Sequence, residues 1–140
     1  MVGYGKMAQC AVAVVSYLAE RYASGDVVGS AEVARVRNLS KPLVAKVLTM
    51  LSQAGYVRGA PGPGGGYRLE VAPEELTLKE VVGTFERVGE VMMCPFGPGY
   101  CGTANPCPMH DEILAMGEGL ERFLSGGNFG MFCRETEVAG

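Results

Sequence analysis

SAEVARVRNLSKPLVAKVLTMLSQAGYVRGAPGPGGGYRL, residues 30–69, runs through two helical stretches, a tight turn and a glycine-punctuated hairpin in succession. Ser30 reads as the N-cap of a short helix ending at Val36, with Val33 as its core residue. Asn38, Leu39 and Ser40 read as a turn, and Ser40 caps a further helix over residues 41–54. Pro42 falls in the first turn of that helix, where a missing N–H is no loss. Leu43, Val47, Met50 and Leu51 are expected on its inner face, with Lys41, Lys46, Thr49 and Ser52 directed elsewhere, and Gly55 ends it. Residues 56–58 and 67–69 then pair around the glycines at 62–66, a tip that can take positive φ and bring backbone close to phosphate. No Lys-Ser or Lys-Thr pair follows those glycines, which excludes a nucleotide phosphate loop. Two short helices, a tight turn and a hairpin make a winged helix–turn–helix.

N-terminal to this unit, Cys10, Val14, Tyr17, Leu18 and Tyr22 recur at helical spacing over residues 7–22, ahead of a Ser24-Gly25-Asp26 stop. C-terminal to it, Thr77 and Glu80 have the spacing of a capping box, followed by the apolar face Leu78, Val81, Val82 and Phe85. Further on, Ile113, Met116, Leu120, Phe123 and Leu124 line one face of a helix whose outer face carries Asp111, Glu112, Glu118 and Glu121. A lone amphipathic helix needs a surface to pack on, and pairing with its twin gives a two-fold dimer suited to a palindromic operator. The fold class expected is mainly α with a small β-hairpin: a winged helix–turn–helix domain plus a long C-terminal dimerisation helix. Its expected divisions are residues 1–72 for DNA binding, 73–109 for a linking helix and cysteine-rich loop, and 110–140 for the dimerisation helix and tail.

The net charge of −3 divides unevenly. Residues 1–72 carry eight Lys/Arg against four Asp/Glu, a net of +4, and residues 73–140 carry four against eleven, a net of −7. A basic front suits a polyanion, and an acidic back suits a regulatory or dimer-forming lobe. No apolar run nears the ~20 residues needed to cross a bilayer, and no signal peptide is legible, so a cytoplasmic protein with no membrane partner is expected. With one histidine and no paired acids in a recognisable cleft, no catalytic constellation presents itself, and an enzyme is not expected.

The chemistry lies in the back half. Cys94, Cys101 and Cys107 are separated by six and five residues in a stretch rich in proline and glycine, and His110 follows three positions later. Three thiolates and an imidazole within seventeen residues form a metal-ligating set. Sulfur donors select zinc, copper(I) or iron–sulfur units. Zinc sites usually pair their cysteines two to four residues apart, so the wider gaps favour a multi-iron cluster, with structural zinc as the rival. Five cysteines, an odd number, argue against a disulfide framework in a reducing compartment.

In this order the pieces resemble the IscR/NsrR type of winged-helix regulator over nearly the whole chain. The resemblance rests on the Cys10-Ala11-Val12 stretch, the Gly62-Pro63-Gly64-Gly65-Gly66-Tyr67 wing tip and the three-cysteine loop ahead of the last helix. It implies a homodimeric, iron–sulfur-dependent transcriptional regulator, expected to repress, responding to iron–sulfur status, nitric oxide or redox stress. Cys94, Cys101 and Cys107 match the family's cluster cysteines, and His110 matches the histidine ligand of the 2Fe–2S branch. The 4Fe–4S branch uses a carboxylate near the start of helix 1, where this chain has Gln9, so 2Fe–2S is favoured. Ser40, Lys41 and Lys46 are expected at the major groove of double-stranded DNA, with Arg58, Gly64 and Gly65 on the wing beside the minor groove. Departures are the six-residue first cysteine gap, Pro61 in place of a wing arginine and Ala45 in place of an acidic base reader. Two alternatives are a zinc-stabilised regulator that senses nothing and a small iron–sulfur electron carrier.

Overall fold

A computed structural model describes residues 5–86 and 108–133. Helix α1 (Lys6–Glu20) is central: its Ala8, Ala11, Val14, Val15 and Leu18 are fully or almost fully buried, and it packs on the helices and the hairpin that follow. Tyr22, assigned from spacing to the same stripe, instead begins a 3-10 turn, Tyr22–Ser24, and is exposed. Helix α1 ends at Glu20 with Arg21 as its C-cap, so the register stops before Tyr22, and Gly25 in the left-handed region closes the turn that follows.

Helix α2 (Ser30–Val36) starts one residue earlier than expected. Gly29 is its N-cap, no side chain caps it, and Ser30 is the first helical residue. Val28 explains this: its backbone pairs with Tyr67 through two 2.8 Å hydrogen bonds, so the chain leaves an extended bridge and turns immediately into helix. The exit from α2 is a tight reversal. Asn38 adopts φ 54°, with the Leu39 N–H bonded to the Ala34 carbonyl and the Asn38 N–H to that of Arg35.

Helix α3 (Lys41–Gln53) is capped by Ser40, whose hydroxyl accepts from the Leu43 N–H at 3.4 Å. Its buried positions are Val44, Val47, Leu48 and Leu51. The inner face is therefore rotated from the expected Leu43–Val47–Met50–Leu51 set, and Leu43 and Met50 lie at its margin. Both faces are apolar enough to fit a helical stripe, and packing against α1 selects the one with two valines and two leucines. Gly55, at φ 88°, ends α3 with the same pair of backbone bonds as Asn38: Tyr56 N–H to Leu51 and Gly55 N–H to Ser52.

Strands β1 (Val57–Ala60) and β2 (Gly66–Leu69) form an antiparallel hairpin in which Val57 faces Leu69 and Arg58 faces Arg68. Val57 and Leu69 fix it to the core. Helix α4 (Leu78–Gly83) opens on the capping box expected of Thr77 and Glu80, and buries Leu78, Val81 and Val82. Helix α5 (His110–Gly126) touches the core through Leu124. Phe129, just beyond it, is fully buried, and its N–H bonds to the Leu76 carbonyl at 3.1 Å. No helix among the described residues is long and apolar enough to cross a membrane.

Candidate nucleic-acid interface and cysteine set

With Val44, Val47, Leu48 and Leu51 turned inward, α3 presents Pro42, Ala45, Lys46 and Thr49 to solvent, and Ser40 and Lys41 are exposed at its start. Ser40 spends one lone pair on the Leu43 N–H and keeps its own proton to donate. The wing follows α3 directly, and its first strand packs on that helix. Arg58 and Arg68 face one another across the hairpin, and the Arg58 side chain is 68% exposed with Glu70 4.0 Å away, a pairing too loose and too wet to hold it. Gly64 takes φ 76° at the tip. Gly65 is required sterically, since a Cβ there would stand 2.0 Å from the Ala60 carbonyl oxygen. The structure thus gathers Ser40, Lys41 and Lys46 on α3 and places Arg58, Gly64 and Gly65 on the hairpin.

Two arginines of the basic front are committed elsewhere. Arg21 pairs with Glu32 at 2.9 Å and with Asp26 at 3.2 Å. Arg37 pairs with Glu20, donates to Ser16 at 3.1 Å and lies 5.2 Å above the Tyr17 ring. Tyr17 in turn donates to Glu32, and this bond, with the Arg21 charge beside it, holds the Glu32 carboxyl below the usual range. The network clasps α2 to α1 and so seats the helix that precedes α3. The sequence showed these residues only as charges. The cross-helix contacts that convert them from surface cations to struts are tertiary.

Cys94, Cys101 and Cys107 lie outside the described residues. His110 is the first residue of α5 and is half-buried. Among the described residues no three His, Cys, Asp or Glu stand close enough to hold a metal. As a donor set, three thiolates with one imidazole suit an iron–sulfur or zinc centre. Cys10 is a core residue, and burial pushes its thiol up, away from the thiolate a metal needs. Gln9 beside it is exposed. Glu86, not singled out by the sequence, accepts a hydrogen bond from the Gly5 N–H at the positive end of α1.

A helix–turn–helix with a glycine-tipped, cationic wing is the architecture of a winged-helix regulator. Comparison with known proteins agrees: the model of the Rrf2 family, described as an iron-dependent transcriptional regulator, matches residues 4–135, and the chain belongs to that family. Its members are transcriptional regulators and not enzymes. The chain is 26% identical over 108 residues to the HTH-type transcriptional regulator IscR of Aliivibrio salmonicida, covering 77% of this chain and 64% of that protein. It is 34% identical over 70 residues to NsrR of Bacillus subtilis, covering 50% of this chain and 48% of that one. Two solved structures share the fold: T. potens IscR, TM-score 0.72 at 18% identity over 96% of this chain and 88% of that one, and CymR, the global cysteine regulator of B. subtilis. The CymR match has a TM-score of 0.75 at 17% identity, over 96% of this chain and 98% of that one.

Proposed function

We propose that this protein is a homodimeric, cluster-dependent repressor that binds a palindromic operator in double-stranded DNA. Helix α3 enters the major groove. Ser40, Lys41 and Lys46 contact phosphates and base edges, while Arg58 and the Gly64–Gly65 tip lie along the minor groove. One observation carries the reading: α3 keeps Lys41, Lys46 and Thr49 exposed and Arg58 is exposed on the wing that follows it, while Arg21 and Arg37 are held in the α1–α2 clasp.

Dimerisation is supported by α5. Met116 and Phe123 are 51% and 55% exposed, Met109 precedes them by one heptad, and Ile113 and Leu120 fill the intervening positions of a 3.5-residue repeat. A seam so apolar and so little covered is the kind of surface a second copy buries.

Cys94, Cys101, Cys107 and His110 hold a 2Fe–2S cluster, a centre that supplies reactivity toward oxidants and nitric oxide when bound. His110 in the first position of α5 supports its role as fourth ligand, and the exposed neutral amide of Gln9 argues against the carboxylate-ligated 4Fe–4S form. Ligation by these residues ties the start of α5 to residues 94–107. Helix α5 bonds to α4 through Lys79–Glu121 and to the core through Leu124, which would couple such a tether to the core that carries α3. Anaerobic purification with iron, sulfide and zinc analysis, and Mössbauer spectra of wild type and His110→Ala, tests the assignment. The reading expects a 2Fe–2S signature in which one iron site changes in the variant. A colourless protein with stoichiometric zinc overturns it, and a cluster unchanged by His110→Ala removes the histidine.

A further inference from the structure

The outward face of α3 makes a more specific statement about what it reads. From its N-terminal end, the part of a recognition helix that meets base edges, the exposed residues are Lys41, Pro42, Ala45, Lys46 and Thr49. Thr49 is the ambiguous member, since threonine can read bases through its hydroxyl or its methyl. Here the hydroxyl donates to the Ala45 carbonyl at 3.0 Å, back along its own helix. Its proton is already spent, so Thr49 has no donor left for a base, and beside the oxygen's lone pairs it can offer the γ-methyl as an apolar contact. Ala45, one turn earlier, offers only a methyl. Lys46 lies between them and is the one cationic donor from Ala45 to Thr49, Lys41 standing a turn earlier.

We infer that Ala45 and Thr49 select thymine by contact with its C5-methyl group in the major groove, next to a guanine addressed by Lys46 through O6 and N7. The inference rests on the proposed DNA-binding role of α3. It assigns specificity to apolar contact where carboxylate or amide readers are lacking: Ser52 and Gln53, the remaining polar candidates on this face, sit on the last turn.

The test uses the full chain, as purified anaerobically and after cluster removal. Sites are selected from a random duplex pool, and each thymine of the selected half-site is then replaced by deoxyuridine, which differs by the methyl alone. Wild type should lose about fourfold in affinity at each contacted thymine, the equivalent of ~0.8 kcal/mol for one buried methyl-sized group. Thr49→Ser, which keeps the hydroxyl and its bond, should become indifferent to uracil at one of those thymines. Thr49→Val, which keeps a methyl and lacks the hydroxyl, should stay sensitive. A selected site that no uracil weakens, or full sensitivity retained by Thr49→Ser at every thymine, overturns the inference and leaves DNA binding standing. A pool that yields no site overturns both.

Discussion

Lys46 shows how a residue's meaning depends on the faces around it. In the sequence it is one of eight cations in the front half. In the fold it stands at the middle of α3's exposed face, while Arg21 and Arg37 are bound to Glu32 and Glu20. Each phosphate neutralised releases counterions, so Lys46→Ala should flatten the slope of log K against log salt by about one unit. Binding isotherms between low and physiological salt measure it, and an unchanged slope removes Lys46 from the DNA contacts. The chemical identity of these side chains was legible from residue type and spacing. Ser30 was misassigned as a cap because the signal that displaces it, Val28 pairing with Tyr67, comes from nearly forty residues away. The inner face of α3 was rotated for a similar reason: Leu43, Val44, Val47, Leu48, Met50 and Leu51 supply two overlapping stripes, and only α1 decides between them.

Helices α4 and α5 are joined by contacts of two kinds. Leu124 is buried in the core, and the Leu78 N–H bonds to the Gly127 carbonyl at 3.1 Å. Outside these, Lys79 donates to Glu121 at 2.5 Å, and this bond, followed by one from Ser125, lowers the Glu121 carboxyl below its ordinary value. A carboxyl with a depressed folded-state pKa stabilises the fold above its unfolded value and loses that contribution as pH falls through the folded one. Urea midpoints of wild type and Lys79→Met should therefore differ at neutral pH and converge under acid, below the usual carboxylate range of about 4. The half-exposed pair makes the difference small and salt-sensitive. A gap that widens on acidification contradicts the assignment. At this scale local signals served well where they are self-contained: the Thr77–Glu80 capping box and the Gly55 stop need no distant partner and were read correctly. The Asn38 reversal was seen as a turn, but its left-handed backbone was not, since asparagine tolerates that region without demanding it.

Across the whole molecule, the α1–α4 core, the wing and α5 would take the separate tasks of holding, reading and pairing in the proposed regulator. The exposed heptad positions Met116 and Phe123 should keep the chain dimeric in solution. Phe123→Asp places a charge on that seam without disturbing a buried residue, and sedimentation should show a monomer with native helical content and a weakened grip on palindromic duplex. A variant that stays dimeric would falsify the α5 seam as the interface. The cysteine set was the plainest chemical signal in the sequence, yet the proposed coupling to DNA affinity would be a property of the assembly, running from His110 through α5 to the helices that read DNA. The most direct measurement is fluorescence anisotropy of a selected operator duplex titrated anaerobically with cluster-loaded and cluster-free protein at one fixed salt concentration. Dissociation constants should differ by about tenfold or more, a coupling of at least ~1.4 kcal/mol. Equal constants for the two forms would contradict a cluster-dependent regulator.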